Sequence, residues 1–337
     1  MSDKNIAFIK AMLLSEGNIQ LDSNIDIQDL YNSTGNIMKG QWIFIRISKK
    51  SRVRLTLNHV SRFILTRSNK DDFFIQDVLT QNILVEHVAV ERIIAHAPEQ
   101  LFFLLYKNCT NGCLFCPLTY HKDHSHYNWE KIQQKICDNR NCKIKSVSFT
   151  TSCPAEKTQN EIVNEMAANI IKTRELMGND IPIGISLKTP SKEQLLYLKK
   201  SGATEVRLNI ETYNPLLAKS LMPNKEISKI LHSIEMAVDI YGKEKVSSNI
   251  IIGLGESDND ILRGVQRLSK TGALTTLYPF DPISRFDNKF KRPSAERIYN
   301  LAVEHNNILQ KYNLNPLNAK TMCCQCAASH LYPGKDL

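Results

Sequence analysis

Three cysteines fall within eight residues, directly after an apolar run. Residues 101–106 (LFFLLY) have the composition of a buried strand, and Cys109, Cys113 and Cys116 follow with the spacing C-x3-C-x2-C. Cysteine thiolates hold iron–sulfur clusters, ordinarily four to a cubane, so three in one short loop can bind three irons and leave the fourth open. A zinc site would ordinarily combine two C-x2-C pairs, and this loop contains one. The spacing therefore favours an iron–sulfur cluster over zinc or structural thiols.

The nine cysteines of the chain are an odd number, and six of them lie in two short windows. An odd, clustered set argues against a disulfide framework and favours metal or redox chemistry in a reducing compartment. No apolar run reaches the roughly 18 residues that span a bilayer. Lys10 interrupts the first apolar stretch, which also lacks a small-residue cleavage site. We therefore expect a cytoplasmic protein that does not associate with membranes.

From about residue 99 onward, segments typical of strands alternate with segments typical of helices, one of which Ser191 opens as an N-cap. This alternation indicates a parallel sheet with right-handed crossovers, and six such units make a partial or complete TIM-like (β/α) barrel. We predict this α/β barrel over residues 99–312. Its strands are predicted at 101–106, 147–150, 181–187, 206–210, 246–252 and 274–277. In such barrels the chemistry lies at the carboxyl ends of the strands.

The segments on either side of the predicted barrel have a different character. Residues 1–35 show helical spacing and residues 42–90 contain short β-branched runs, so residues 1–98 predict a small α+β appendage with a mainly antiparallel sheet. Residues 313–337 form a cysteine-rich tail. Basic residues outnumber acids between residues 46 and 70, and the formal net charge is +9. A solvated face explains this excess better than nucleic-acid binding, because no RNA-binding motif accompanies it.

The cysteine loop resembles the cluster motif of the radical S-adenosylmethionine (SAM) superfamily, both in spacing and in its place after the first barrel strand. The resemblance implies a [4Fe–4S] cluster on Cys109, Cys113 and Cys116, with the amino and carboxylate groups of SAM on the open iron. It implies that Phe115 packs near the adenine. It also implies a reductant such as ferredoxin or flavodoxin, and cleavage of SAM to methionine and a 5′-deoxyadenosyl radical that takes a hydrogen atom from the substrate.

Two later strand ends carry further resemblance. Asn209 and Glu211 follow the fourth strand and are similar to the segment that contacts SAM in the biotin synthase/HydE-like branch, where an acidic residue binds the ribose hydroxyls or the amino group. A carboxylate favoured by a helix dipole is the alternative for Glu211. Residues 249–256 (NIIIGLGE) resemble the family's G-x-I-x-G-x-x-E segment beside the adenine. This implies SAM contacts for Ile251, Gly253 and Glu256, although Asn249 replaces the first glycine.

The end of the second strand departs from the family. Many radical SAM proteins have a Gly-Gly-Glu element there, which binds the SAM amino group, whereas this chain has Thr-Thr-Ser-Cys-Pro at residues 150–154. The hydroxyl of Ser152 or backbone carbonyls are adequate acceptors for an ammonium group. Cys153 follows, and we weigh a fourth cluster ligand or a catalytic thiol against an ordinary buried cysteine.

The tail adds Cys323, Cys324 and Cys326 within four residues. Several radical SAM groups carry an auxiliary iron–sulfur cluster, so the resemblance implies a second centre on these thiols, with metal-free thiols as the alternative. The leading hypothesis is hydrogen abstraction followed by sulfur insertion from that auxiliary cluster. The second is a radical rearrangement or C–C bond formation in cofactor biosynthesis, with a structural tail. The third is a non-catalytic metal-binding or RNA-associated protein. The sequence does not identify the substrate.

Overall fold

The strands of the computed structural model form two sheets, a closed six-stranded barrel and a seven-stranded sheet. The structure describes residues 3–27, 30, 42–69, 72–120, 126–282 and 290–337. The fold is thus a mixed α/β fold with a partial TIM-like barrel and an amino-terminal appendage, as the sequence predicts.

The amino-terminal barrel closes because its strands pair in the ring order β1-β3-β2-β6-β5-β4. The strands are β1 (Asn18–Leu21), β2 (Trp42–Arg46), β3 (Arg52–Leu57), β4 (Phe63–Asn69), β5 (Asp72–Asp77) and β6 (Ile83–Val90). β1 pairs in parallel with both β3 and β4, and the other pairs are antiparallel. The expectation of a mainly antiparallel sheet is confirmed. Closure of the barrel was not predicted.

The first helix is shorter than the helical pattern over residues 1–35 predicts. α1 (Asp3–Glu16) ends one residue before Gly17, whose φ of +73° is a left-handed conformation that favours glycine. The chain then enters β1, and Ile19 is fully buried in the barrel core. Residues 28–29 and 31–35 of the predicted helix lie outside the described residues. The predicted helix was too long because the apolar residues continue in sequence beyond Gly17, where the helix ends.

The second sheet has the strand order β13-β12-β11-β10-β9-β8-β7. Its strands are β7 (His96–Ala97), β8 (Gln100–Leu104), β9 (Ser146–Thr150), β10 (Ile183–Ser186), β11 (Glu205–Arg207), β12 (Val246–Ile252) and β13 (Leu274–Pro279). β8 to β13 run parallel in chain order, and β7 is an antiparallel edge. All six carboxyl ends therefore meet at one edge.

Helices join these strands and carry the capping signals that the sequence shows. They are α2 (Trp129–Asp138), α3 (Gln159–Met177), α4 (Lys192–Lys200), α5 (Pro215–Leu221), α6 (Ile227–Tyr241), α7 (Asp258–Thr271), α8 (Ala295–Lys311) and α9 (Met322–Cys326). Ser191 caps α4 as predicted and forms a capping box with Gln194. Ile162, Met166 and Ile170 bury one face of α3 against the sheet.

The tail packs beneath the sheet, at the amino-terminal ends of its strands. Glu205, the first residue of β11, accepts hydrogen bonds from the backbone N–H (2.9 Å) and the hydroxyl (2.7 Å) of Thr321. Gln100, the first residue of β8, donates its Nε2–H to the carbonyl of Met322 at 3.3 Å. The start of the tail helix therefore lies near the edge opposite the cluster loop.

A buried ion pair joins the first helix to the end of the chain. The Nζ of Lys10 lies 2.8 Å from Oδ2 of Asp336, both side chains have no exposed surface, and Lys10 also donates to the carbonyl of Ala327 at 2.6 Å. Burial lowers the pKa of Lys10, against the attraction of Asp336. In the described part of the chain, no helix is both long and apolar enough to cross a bilayer.

Replacing Lys10 by alanine should destabilise the protein strongly. The carboxylate of Asp336 would stay buried without its counter-charge, which costs about 3–5 kcal/mol in the free energy of unfolding. Urea denaturation followed by circular dichroism measures this change. The matched control is Lys192→Ala, which removes an exposed lysine from the first turn of α4. Equal stability of the two variants would contradict the role given to the pair.

Candidate active site

The three cysteines of the C-x3-C-x2-C motif line one cavity of about 390 Å³ at the carboxyl edge of the parallel sheet. Loops that follow β9, β10 and β11 complete the cavity wall, because the carboxyl ends of parallel strands meet there. The sequence-predicted site residues in this wall are Cys109, Cys113, Cys116, Ser152, Asn209 and Glu211. The structure therefore brings together residues from three separate strand ends.

Hydrogen bonds to two neighbouring segments hold the cluster loop in place. The backbone N–H of Leu114 donates to the carbonyl of Leu221 at the end of α5 (2.9 Å). Nδ2 of Asn224 donates to the carbonyl of Thr110 at 3.1 Å. Gly112 has a φ of +65°, a conformation that glycine adopts at little cost. The loop is thus tied to the α5 end of the sheet.

The segment after β9 holds the other side of the loop. The backbone N–H of Thr110 donates to the carbonyl of Cys153 at 2.9 Å, and Nδ2 of Asn111 donates to the Sγ of Cys153 at 3.2 Å. The hydroxyl of Ser152 donates to the carbonyl of Asn108. Cys153 therefore lies beside the cluster loop and lines the same cavity.

The motif thiols differ in their acidity. The thiol of Cys153 donates a hydrogen bond to Cys109 and, with backbone N–H groups, outweighs burial to lower the pKa of Cys109 to about 5. Burial raises the pKa of Cys113 to about 11 and also raises the pKa of Cys116. In the metal-free chain, Cys109 is the thiol that is ionised at neutral pH.

Glu211 has a backbone conformation that is unusual for a residue with a side chain. Its φ is +61°, in the left-handed region. Its N–H donates to the carbonyl of Asn249 at 3.0 Å, and its carbonyl accepts from the N–H of Ile251 at 2.8 Å. Bonds to β12 therefore hold this conformation, and the side chain lines the cavity although the residue is 9% exposed. Strained backbone of this kind is concentrated at functional sites.

A lysine faces Glu211 across the cavity. Nζ of Lys225 lies 3.7 Å from Oε1 of Glu211. Burial opposes the charge of Lys225, but the attraction of Glu211 and of the Cys113 and Cys116 thiols is greater, so the pKa of Lys225 is raised. The cavity therefore has a partly buried cation beside the cluster loop.

Two predicted SAM contacts, Phe115 and Ile251, lie beside the cavity rather than in its wall. They belong to an apolar cluster with Leu254 and Phe280, which packs against the cluster loop. Such a cluster supplies an apolar surface next to the cavity. Their contacts with adenine stay predictions.

Gly253 and Glu256 form a tight turn beyond β12. Oε1 of Glu256 accepts the N–H of Gly253 and Oε2 accepts the N–H of Leu254, both at 2.7 Å. Arg297 also donates to this carboxylate at 3.1 Å. A Cβ on Gly253 would lie 2.8 Å from the carbonyl oxygen of Lys291. These bonds give Glu256 a role in the turn, and its SAM contact stays a prediction.

Sequence reasoning missed several lining residues. Lys188 and Thr189 follow β10, so the rule that function lies at strand ends would have found them. Lys225, just before α6, and Lys229, in the first turn of α6, also line the cavity. No motif or periodicity marks these two lysines, since only the tertiary fold brings them to the cluster loop.

The tail cysteines do not face one common point. Cys323 and Cys326 line a small cavity, whereas Cys324 is 1% exposed and packs in an apolar cluster with Leu309 and Tyr332. Nη1 of Arg207 donates to the Sγ of Cys323 at 2.8 Å. The structure thus brings together two of the three tail cysteines that sequence reasoning grouped.

The cluster loop fits a [4Fe–4S] group in its donor chemistry. Three thiols line one cavity, and the partly buried cation Lys225 beside them offsets thiolate charge. Across the ranges that the structure describes, no three Cys, His, Asp or Glu side chains stand at metal-coordinating spacing. The assignment of Cys109, Cys113 and Cys116 as iron ligands therefore rests on the motif and on their shared cavity.

Comparison with protein families gives one match, the Radical SAM superfamily, over residues 103–268. These residues run from β8 into α7 and include the cluster loop and the loops that form the cavity. No curated protein matches the chain in sequence. Residues 103–268 are therefore a radical SAM domain.

Solved structures agree on the fold. Methylornithine synthase (PylB) has 17% identity over 65% of this chain and 70% of its own, with a TM-score of 0.52. The hydrogenase maturase HydG from Carboxydothermus hydrogenoformans has 16% identity over 63% and 52%, with a TM-score of 0.51. SuiB from Streptococcus suis, bound to SAM, has 18% identity over 65% and 50%, with a TM-score of 0.52. The chain thus spans about half of HydG and SuiB, and the biotin synthase/HydE-like branch stays a prediction.

The acidity of Cys109 predicts how the metal-free chain reacts with iodoacetamide. A thiolate with a pKa of about 5 is about nine-tenths formed at pH 6 and almost fully formed at pH 7, so the alkylation rate should be flat above about pH 7 and fall as the pH drops through 5. Cys153→Ala removes the donor that contributes most, so the midpoint should move to higher pH. Mass spectrometry of the labelled peptide measures the rate.

Cys142→Ser is the control, because Cys142 lies outside the cavity wall. It should leave the midpoint where it is in the unmodified chain. A midpoint near the ordinary cysteine value of about 8.5 in all three proteins would refute the proposed bond between the two thiols.

Proposed function

We propose that this chain, a radical SAM enzyme by its domain and its fold, holds a [4Fe–4S] cluster on Cys109, Cys113 and Cys116 and cleaves SAM there. The observation that supports this most is the shared cavity, in which the three thiols, Asn209 and Glu211 meet at the carboxyl edge of six parallel strands. The cluster and SAM, when bound, supply the electron and the 5′-deoxyadenosyl radical that takes a hydrogen atom from the substrate.

Glu211 is proposed to bind the ribose hydroxyls or the amino group of SAM. The strained backbone turns this carboxylate into the cavity wall, where Nζ of Lys225 lies 3.7 Å from its Oε1. A carboxylate that accepts from hydroxyl or ammonium donors forms charge-assisted bonds, which are the stronger class of hydrogen bond. The carboxylate is therefore already in position before SAM binds, which lowers the entropic cost of ordering the site on binding.

Ser152 is proposed to take part of the place of the family's Gly-Gly-Glu element. Its hydroxyl proton goes to the carbonyl of Asn108, so the oxygen presents only lone pairs to the cavity. Lone pairs suit an ammonium group. Asn209 is held in place because its Oδ1 accepts the backbone N–H of Asn249 at 3.1 Å. Both residues thus offer fixed polar groups to the amino-acid part of SAM.

The position of the tail bears on the reaction class. Thr321 and Met322 contact the first residues of β11 and β8, whereas the cavity lies at the other ends of the strands. Sulfur insertion from a tail cluster would need the donor and the substrate at one end. The arrangement favours the hypothesis of a radical rearrangement or C–C bond formation, with a structural tail.

The basic stretch of the amino-terminal barrel is partly neutralised within the chain. Arg52 pairs with Glu91 and Glu99, both at 3.0 Å, and Arg62 pairs with Asp77 at 2.7 Å. These ion pairs support the interpretation of a charged outer face rather than a nucleic-acid site. All nine cysteines are free, which fits a reducing, cytoplasmic setting and a low-potential reductant such as ferredoxin or flavodoxin.

Cys113→Ala should abolish both cluster binding and SAM cleavage. After anaerobic reconstitution with iron and sulfide, the unmodified chain should form 5′-deoxyadenosine from SAM and dithionite. The variant should form at least about a hundredfold less, because a loop with two thiols cannot hold a cubane. Chromatography of the nucleoside and an iron assay measure the two effects. Cys142→Ala is the matched control and should keep both. Full cleavage by the Cys113 variant would refute the proposal.

Glu211→Gln should weaken SAM binding without loss of the cluster. Loss of a charged hydrogen bond costs about 1.5–3 kcal/mol, which raises the Kd for SAM by about ten- to a hundredfold. Equilibrium dialysis with labelled SAM measures the Kd, and iron content reports the cluster. Glu235→Gln, which removes a half-exposed carboxylate paired with Arg267, is the control. An unchanged Kd in the Glu211 variant would exclude a contact with SAM.

A further inference from the structure

A second small cavity lies where the tail meets the edge of the parallel sheet and the amino-terminal barrel. Its volume is about 50 Å³, and its wall includes Cys323, Cys326, His330 and His96. Two thiols and two imidazoles thus share the wall of one small cavity.

The two cysteines have the spacing of a metal chelate. Cys323 and Cys326 form a C-x2-C pair on the short helix α9, and residues three apart lie on the same face of a helix. Cys324 packs on another side, against Leu309 and Tyr332. C-x2-C pairs are typical of zinc sites, which ordinarily add two more nitrogen or sulfur ligands.

His330 is the observation that points to a ligand. Its side chain has no exposed surface, and neither ring nitrogen has a hydrogen-bond partner among the described residues. Tyr278 and Tyr332 pack beside the ring, with centroids 5.7 Å and 5.5 Å away. Buried polar groups almost always have partners, so the unpartnered ring nitrogens of His330 in this cavity wall mark the residue as a candidate ligand.

His96 reaches the same cavity from the other side of the interface. It is a residue of β7 with a φ of +84°, and its ring stacks on Phe102 at 4.7 Å. The four side chains therefore come from a strand edge, the tail helix and the segment after that helix. Two thiols and two imidazoles are a common ligand set for tetrahedral zinc.

Two arginines lie at this cavity. Nη1 of Arg207 donates to the Sγ of Cys323 at 2.8 Å, and Arg54 lies in the cavity wall. Both arginines are already present without a bound ion.

We propose that this cavity binds one zinc ion through Cys323, Cys326, His330 and His96, and that the ion fastens the tail to the sheet. Nowhere in the described residues do three such side chains already stand at coordinating spacing, so the four must close around the ion. Zinc has no redox chemistry, which suits a structural site at the end opposite the candidate active site. The proposal does not depend on radical chemistry.

The test counts zinc in the full chain that carries Cys109→Ala, Cys113→Ala and Cys116→Ala, so that the thiols of the cluster loop cannot contribute. We expect one zinc per chain by elemental analysis. X-ray absorption should show sulfur neighbours at about 2.3 Å and nitrogen neighbours at about 2.0–2.1 Å in equal number. Cys326→Ser and His330→Ala in this background should each lower zinc affinity at least about tenfold.

Cys324→Ser is the matched control, because Cys324 is buried in the same helix but faces away from the cavity. It should retain the zinc. Cobalt substitution gives a readout on the folded chain without these tail changes, since sulfur-to-cobalt absorption should appear with one equivalent of Co²⁺. A chain that binds neither ion, or zinc binding that survives His330→Ala and Cys326→Ser, would overturn the proposal.

Discussion

The parallel direction of six consecutive strands is the constraint on which the rest of the structure depends. Because β8 to β13 run the same way, the loops that follow them share one edge. Cysteines at 109–116, a serine at 152 and a carboxylate at 211 are far apart in sequence but line one cavity there. A single reversed strand would have sent its residues to the other end. The site is thus a product of topology first and of side-chain chemistry second.

The opposite edge of the sheet, at the amino-terminal ends of its strands, holds the carboxyl-terminal tail. The buried carboxylate of Glu205 accepts hydrogen bonds from Thr321 of the tail. The ion pair of Lys10 and Asp336 joins that tail to the first helix. Each contact satisfies a charged group that would be costly to bury alone. Cys323 and Cys326 line a different cavity from the one that the cluster loop lines.

Much of this architecture could be predicted from the sequence. The alternation of strands and helices gave the parallel sheet, and Ser191 marked a helix start that the structure confirms. The C-x3-C-x2-C spacing identified the loop because three thiols in eight residues have few other uses. Residue 211 was found by its place after a strand. Each of these signals involves residues that are close together in the sequence, so it can be recognised without knowledge of the tertiary structure.

Other features could not be predicted from the sequence, because they depend on contacts between distant parts of the chain. Closure of the amino-terminal barrel depends on β1 pairing with strands some 40 residues away, which no periodicity records. Lys225 reaches Glu211 only through the fold. The three tail cysteines looked equivalent in sequence, yet helix geometry separates Cys324 from its neighbours. Side-chain direction on a short helix is a tertiary property.

The central claim is that the cluster loop holds an iron–sulfur cluster with one iron open to SAM. Electron paramagnetic resonance of the anaerobically reconstituted and reduced chain tests it most directly. The account predicts the signal of a reduced [4Fe–4S] cluster that changes when SAM is added, since SAM binds the open iron. A reduced cluster whose signal is the same with and without SAM would contradict the account.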